Sequence, residues 1–317
     1  PQAPQAPQAP PPGAKPSGGK AKRSLVRAAK DGNLALMDEL LGGGSGLEDV
    51  GMWENTPLLA ACASNHGEAA LKLIALGANV SARNEHGATP LHYAAVEGST
   101  DVVQALLAAA KHRGGAVAAE ALVNSGPARL YNRHLDAYAP RVPLGAAAEG
   151  GFHELADLLL AARASVDGAD PEDGRSPLWL ACRHARGAAA TALLRCGADA
   201  DAKDSGGVSV LQAAAAGSEE LVVSLLARGV RDVNDTAGSP LLEAVRGGRR
   251  AAAEALLSHG AAVCSAGATA PLHAACERGD EHLVALLVRA RADPEARDAA
   301  GLSALDVLRR RGLPEQR

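Results

Sequence analysis

Between residues 84 and 116, the hydrophobic and polar positions follow the pattern of two short helices. Thr89 is a good N-cap residue, and Pro90 suits the first helical position because the N–H that proline lacks would have no partner there. Ala94 is small enough to allow close helix packing, and Gly98 predicts the end of this helix. The apolar stripe of the second helix consists of Val102, Val103, Leu106 and Leu107.

The same pattern recurs along most of the chain. Each copy starts with a polar–Pro–Leu tripeptide such as Thr56-Pro57-Leu58, or with a degenerate form of it. Most copies are about 33 residues apart, and one interval is longer by about 20 residues. The middle residues of the tripeptides, called anchors below, are Ser24, Pro57, Pro90, Pro143, Pro177, Val210, Pro240, Pro271 and Ala304.

The chain resembles the ankyrin-repeat family, whose repeats have this period and start with Thr-Pro-Leu-His, as in Thr89-Pro90-Leu91-His92. The resemblance covers about nine tenths of the sequence. It implies an all-α solenoid of about nine helix-turn-helix repeats with short β-turn fingers.

The pattern divides the chain into three parts. Residues 1–21 form a Pro/Ala/Gln-rich tail that we expect to be disordered or polyproline-like; it is either a plain tail or a ligand for an SH3-type or WW-type domain. Residues 22–313 form the repeat domain, and 314–317 a short C-terminal tail. The longer interval places an insertion near 111–137, in which Ala116–Val123 is predicted to be helical. Since insertions in solenoids map to one face, it is either a binding element or an inert loop.

Composition limits the classes of function. The formal net charge of −4 argues against bulk electrostatic binding to nucleic acid or an anionic membrane, and no apolar stretch is long enough for membrane insertion. Cys62, Cys182 and Cys276 each lie five residues after an anchor, which indicates small packing residues in a reducing compartment. We therefore expect a cytoplasmic protein, with the nucleus as an alternative.

No catalytic motif is present, so we expect no enzyme activity and no cofactor. The histidines and cysteines do not cluster at the spacing of metal ligands, and no metal site is expected. His92 and His273 follow the anchor proline by two residues. We expect their rings to hydrogen-bond to the backbone of adjacent repeats.

In the ankyrin family, partners usually dock on the concave face, which consists of the fingers and the exposed ends of the inner helices. Positions counted from each anchor, together with the tyrosines in or beside the insertion, give the expected contacts. Tryptophan, tyrosine and arginine are favoured at binding hot spots. The expected partner-binding residues are Met52, Trp53, Glu85, His86, Tyr131, Tyr138, Arg141, Arg175, Arg183, His184, Arg246 and Arg278, and Glu149 is at an equivalent position.

The sequence therefore predicts a non-catalytic scaffold, itself monomeric, that binds a protein or peptide with acidic and apolar residues on its concave face. The alternative is the recognition or regulatory arm of a larger complex, such as a ubiquitin-ligase adaptor or a kinase-associated, cytoskeletal or ciliary subunit. Leu226 followed by Asn234 also resembles the site at which some ankyrin repeats are asparaginyl-hydroxylated. The same residues could equally just build a finger.

Overall fold

The protein is a stack of helix pairs. The structure, a computed structural model, describes residues 24–132, 137–231, 233–234, 239–263, 270–298 and 300–310. Helices are numbered in chain order, and the first helix of each pair starts at an anchor or, for α1, one residue after it. These first helices are α1 Leu25–Lys30, α3 Pro57–Ala63, α5 Pro90–Glu97, α7 Pro143–Gly150, α9 Pro177–Arg183, α11 Val210–Gly217, α13 Pro240–Gly247, α15 Pro271–Arg278 and α17 Ala304–Arg310.

A second helix follows each first helix from α1 to α15. The partner of α17 would lie beyond residue 310, outside the described residues. The second helices are α2 Leu34–Gly42, α4 Gly67–Ala75, α6 Thr100–Val123, α8 His153–Ala161, α10 Gly187–Arg195, α12 Glu219–Ala227, α14 Arg250–Ser258 and α16 Glu281–Arg289.

Hydroxyl side chains cap several of the first helices. The Oγ atom of Ser176 accepts the backbone N–H of Trp179 at 3.2 Å, and Ser209 caps α11 through Gln212 at the same distance. Such a cap satisfies one of the free N–H groups of the first turn and stabilises a helix by about 1 kcal/mol. In α3, α9 and α13, a capping hydroxyl and the proline after it together set the register of the repeat. Helices α7 and α15 begin at a proline without a side-chain cap.

The core lies between the two layers of helices. Each first helix packs against the first helix of the next pair, and the leucine after the anchor is buried, as at Leu91 and Leu178. Burying one leucine contributes about 1.5–3 kcal/mol, so the repeated position is a major source of stability. Cys62, Cys182 and Cys276 are also buried, and burial raises the pKa of the Cys62 thiol to about 12. Their predicted packing role is confirmed.

Side chains two residues after the anchor link successive repeats. The Nε2 atom of His92 lies 2.7 Å from the carbonyl oxygen of Gly126, and that of His273 lies 2.9 Å from the carbonyl oxygen of Leu302. The predicted role of both histidines is confirmed. The indole Nε1 of Trp179 donates in the same way to the carbonyl oxygen of Val208, at 3.0 Å.

The proton on His92 can be assigned from its neighbours. Its Nδ1 accepts the backbone N–H of Thr89 at 3.2 Å, so Nε2 must carry the proton that is donated to Gly126. Burial lowers the pKa of His92 to about 4, against the opposing effect of the bond to Gly126. The ring is therefore neutral at physiological pH and acts as a fixed structural link.

The insertion combines a helix with a β-ribbon. Helix α6 is interrupted at Gly114 and Gly115, where Gly115 has a φ of 69°, and it continues to Val123, so the predicted helix within the insertion is confirmed. Strands β1, Ala128–Asn132, and β2, Ala137–Arg141, then pair in antiparallel fashion, with Tyr131 opposite Tyr138. The sequence predicted no strand here; the ribbon is an enlarged finger that leads into α7.

Candidate protein-binding surface

The fingers and the C-terminal ends of the first helices form one face of the stack, called the first-helix face below. In the first complete finger, a single 3₁₀ turn spans Met52–Glu54. Val50, Met52 and Trp53 are exposed there by 68%, 75% and 54%. Three large apolar side chains within four residues form the most concentrated exposed apolar patch in the described part of the chain. The predicted exposure of Met52 and Trp53 agrees with the structure.

The next finger carries Glu85 and His86, both exposed, with His86 Nε2 3.5 Å from Glu85 Oε1. The backbone N–H of Glu85 donates to the carbonyl oxygen of Trp53 at 3.3 Å. The two fingers are thus joined by their backbones, and their side chains are left free to meet a partner.

Arg183 and Arg246, at the ends of α9 and α13, are both exposed. Arg246 is 3.2 Å from Glu243 on its own helix, while no ion pair is found for Arg183 within the described ranges. Helix α11 lies between them, and Ala216 and Gly217 occupy its equivalent positions. Neighbouring helices pack about 8–10 Å apart, so the two arginines flank a gap of roughly 16–20 Å over a floor of small residues.

Arg278 and Arg175 are partly used by the fold. The guanidinium of Arg278 donates to the carbonyl oxygen of Arg246 at 2.8 Å, at the negative end of α13. Arg175 lies 4.5 Å above the ring of Trp179 and 3.3 Å from Asp173. Both keep exposed surface, so either can also contact a partner.

Arg141 does not belong to the exposed set, and this expectation is corrected by the structure. It is only 4% exposed, and its Nε and Nη2 form a bidentate pair with Glu149 at 3.0 and 3.1 Å. Its Nη1 lies 3.0 Å from Asp170 and 3.4 Å from Asp173. Glu149 is buried with it. Repeat counting missed this because Arg141 ends β2, whose ribbon directs the arginine into the junction between α7 and the following finger.

The buried charges of this junction, together with His184, are called the Arg141 cluster. Burial tends to raise the pKa of Glu149, but its bonds to His184 and Arg141 lower it to about 2. Burial raises the pKa of Asp170 to about 7, against the opposing effects of Arg141 and the backbone N–H of Val142. Glu149 is therefore ionised at neutral pH, whereas the raised pKa of Asp170 lies near neutral pH. His184, predicted as a contact, is partly buried and lies 3.5 Å from Glu149.

Tyr131 and Tyr138 face each other across the β-ribbon by backbone register. Their side chains lie outside the described residues, so their place at a binding surface stays a prediction.

Asn234 links two fingers. Its Nδ2 donates to the carbonyl oxygen of Gly260 at 3.0 Å, and its Oδ1 accepts the N–H of Ala262 at 2.6 Å. Asn124 makes the same type of link to Arg163 and Ser165. The residue is exposed, and its hydroxylation stays a prediction; the finger-building role is directly visible.

The described ranges contain no group of three or more His, Cys, Asp or Glu side chains that could hold a metal ion. None of their helices is both long and apolar enough to cross a membrane.

Solved structures with a similar fold include two ankyrin-repeat domains. The human ASB11 ankyrin repeat domain is 23% identical, with 89% of this chain and 90% of that chain covered and a TM-score of 0.44. The ankyrin repeat domain of Bcl-3, a member of the IkappaB protein family, is 30% identical, with 70% of this chain and 95% of that chain covered and a TM-score of 0.51. A comparison with curated protein sequences finds no match.

The family model described as ankyrin repeats matches three times, at residues 25–116, 108–204 and 210–298. These matches span most of the described helix pairs, and the Bcl-3 domain is covered almost completely. The chain therefore belongs to the ankyrin-repeat family.

Proposed function

We propose that this protein is a non-catalytic binding module that holds a segment of a protein partner on its first-helix face. Ankyrin repeats generally mediate protein–protein interaction. The observation that supports the face is the contrast between two sets of side chains. The side chains of His92, Trp179 and Arg141 are occupied by bonds within and between repeats. In the described part of the chain, the exposed side chains of Arg183 and Trp53 have no such bond, and exposed Arg246 contacts only Glu243 on its own helix.

The proposed partner is a peptide or extended segment with acidic and apolar residues. Arg183 and Arg246 on either side of Ala216 suit carboxylates, because guanidinium groups pair with carboxylates in bidentate geometry. Met52 and Trp53 suit an apolar anchor, and aromatic residues dominate binding hot spots. Charge favours encounter, and the apolar contact supplies much of the affinity.

The test is a double charge reversal, Arg183→Glu with Arg246→Glu, in the full chain. Partners are captured from a cell extract with the wild-type protein, identified by mass spectrometry and then titrated in purified form. The matched control, Lys111→Glu with Arg289→Glu, makes the same change of charge at exposed positions on second helices. We expect at least a tenfold loss of affinity for the first variant and little change for the control. Equal affinities for both variants would refute the proposed face.

We also propose a cytoplasmic location, with the nucleus as the alternative. Cys62, Cys182 and Cys276 are free buried thiols, and Cys196 is a free exposed thiol, as expected where glutathione keeps cysteines reduced. Imaging of a tagged full chain in its native cell tests this; a signal confined to the secretory pathway would contradict it.

A further inference from the structure

The backbone of the turn keeps an apolar patch exposed. This patch, called the fingertip patch, consists of Val50, Met52 and Trp53. Trp53 and Glu54 both have a left-handed conformation, with φ values of 57° and 56°. This conformation is unfavourable for a residue other than glycine, because its Cβ comes too close to the following carbonyl oxygen. The N–H of Gly51 bonds to the carbonyl oxygen of Asn55 at 2.9 Å, and the next finger bonds to Trp53, so the neighbouring structure maintains the strained turn.

The fingertip patch has an acidic border. Glu48, Asp49 and Glu54 are exposed beside it. Among the described residues, none of the three carboxylates forms an ion pair, although Glu48 accepts the N–H of Asn79 and Asp49 that of Gly46. An apolar centre with a negative rim favours an apolar ligand that carries positive charge.

The chain itself contains such a segment. Residues 1–10 read PQAPQAPQAP, with proline at every third position. A polyproline II helix has three residues per turn, so Pro1, Pro4, Pro7 and Pro10 would form one continuous ridge along it. The basic residues Lys15, Lys20, Lys22 and Arg23 follow, and residues 1–23 contain no Asp or Glu.

The point at which this tail joins the fold lies next to the patch. The described chain begins at Ser24, the N-cap of α1. Two residues later, Val26 packs against the fingertip loop: a Cβ placed on Gly51 would lie 2.8 Å from Val26 Cγ1. A polyproline II segment rises about 3.1 Å per residue, so 23 residues are ample to fold back over this short distance.

We propose that residues 1–23 of this chain dock on its own fingertip patch, with the proline ridge over Trp53 and Met52 and the basic residues toward Glu48, Asp49 and Glu54. Proline-rich segments bind aromatic surfaces at a low entropic cost because the polyproline II helix is already extended. The tether makes the contact intramolecular, with an effective concentration in the millimolar range, so even a weak contact is populated. A docked tail would compete with any partner for this end of the first-helix face.

The test measures acrylamide quenching of Trp53 fluorescence in the full chain, without any partner. The chain has two tryptophans, and Trp179 is buried; a Trp53→Phe variant supplies its contribution for subtraction. The ridge variant replaces Pro4, Pro7 and Pro10 by serine. The matched control replaces Gln2, Gln5 and Gln8 by serine, with the same spacing on another side of the helix.

We expect the ridge variant to raise the quenching constant of Trp53 several-fold and the control to leave it near the wild-type value. Equal quenching in all three proteins, or equal effects of the two triple variants, would overturn the proposal. Protection that grows over a roughly hundredfold range of protein concentration would place the tail of a second copy on the patch and would also overturn it. Because no partner is present, this inference can fail while the proposed function holds, and the reverse.

Discussion

The guanidinium of Arg141 is enclosed by three carboxylates, whereas that of Arg183 is exposed at the end of α9. Each charge is suited to its site. Removing a charge from water costs several kcal/mol, and bidentate pairing with Glu149 and contact with Asp170 compensate Arg141. The guanidinium of Arg183 stays in water, so it avoids this cost and remains available for a partner. At the scale of single residues, burial therefore distinguishes an arginine that stabilises the fold from one that is exposed for binding.

Replacing Arg141 by methionine should destabilise the protein by about 3–5 kcal/mol, because Glu149 and Asp170 would remain buried without their cation. Urea unfolding followed by circular dichroism measures this as a shift of the midpoint. Arg129→Met is the matched control: it removes an arginine of the same ribbon that is exposed and lies 3.4 Å from the exposed Glu172. It should cost less than about 1 kcal/mol. Similar shifts for both variants would contradict the assigned role of Arg141.

The Arg141 cluster also predicts how stability depends on pH. The pKa of Asp170 is raised to about 7 in the folded state, so the stability contributed by its protonated form is lost as pH rises from about 4 through 7. The pKa of Glu149 is lowered to about 2, so its contribution is lost as pH falls from about 4.5 toward 2. Both effects change the unfolding free energy by at most about 1.4 kcal/mol per pH unit.

Asp170→Asn should therefore flatten the decline between pH 4 and 7 in urea-unfolding experiments, because asparagine does not titrate. The comparison is made in a His184→Gln background, so that the neighbouring imidazole does not contribute; Arg141, Glu149 and Asp173 are the other charged groups that face Asp170. An unchanged slope after the Asp170 substitution would show that this carboxyl does not titrate in that range.

Between elements, a small set of polar side chains joins one repeat to the next. His92 accepts a hydrogen bond from the Thr89 N–H and donates one to the Gly126 carbonyl oxygen. It therefore connects the start of α5 with the insertion. Trp179 and His273 repeat this contact with Val208 and Leu302. Asn124 and Asn234 join fingers at their other ends. Because a repeat contacts only its neighbours, such links determine how cooperatively the stack folds.

His92→Leu should keep most of the buried volume but leave the Thr89 N–H and the Gly126 carbonyl without their partner. We expect a loss of about 1–3 kcal/mol for such unsatisfied buried groups. Hydrogen exchange followed by mass spectrometry should show faster exchange at Thr89 and around Gly126 than in the distant α13–α15 region. Uniform acceleration along the whole stack, or none, would contradict a local link.

The sequence predicts the elements better than it predicts the environment of individual residues. Capping residues and prolines act locally, so the starts of α3, α5 and α9 follow directly from Thr56-Pro57, Thr89-Pro90 and Ser176-Pro177. Arg141 was misplaced because its burial depends on Glu149, Asp170 and Asp173, and the last two lie about 30 residues away in the chain. The role of Trp179 was missed because its slot holds histidine in two other repeats, and only the fold shows that an indole N–H can make the same bond.

For the molecule as a whole, the two functional proposals meet at the fingertip patch, where a partner's apolar residues and the chain's own tail would both contact Met52 and Trp53. The fingertip patch lies at the N-terminal end of the stack, and Arg183 and Arg246 lie on α9 and α13, several repeats away. A partner long enough to reach both would have to displace a docked tail. A partner segment that contacts only Arg183 and Arg246 would leave the tail in place. Its binding should therefore not depend on residues 1–23.

Site-specific photo-crosslinking tests most directly whether partners occupy the first-helix face. A photoreactive phenylalanine analogue replaces Ala216, between the two arginines, in one protein, and Val223, exposed on the second helix α12, in another. After irradiation with the captured partner, we expect a crosslinked adduct from position 216 and none from position 223. An adduct from position 223 alone would place the partner on the layer of second helices and would contradict binding on the first-helix face.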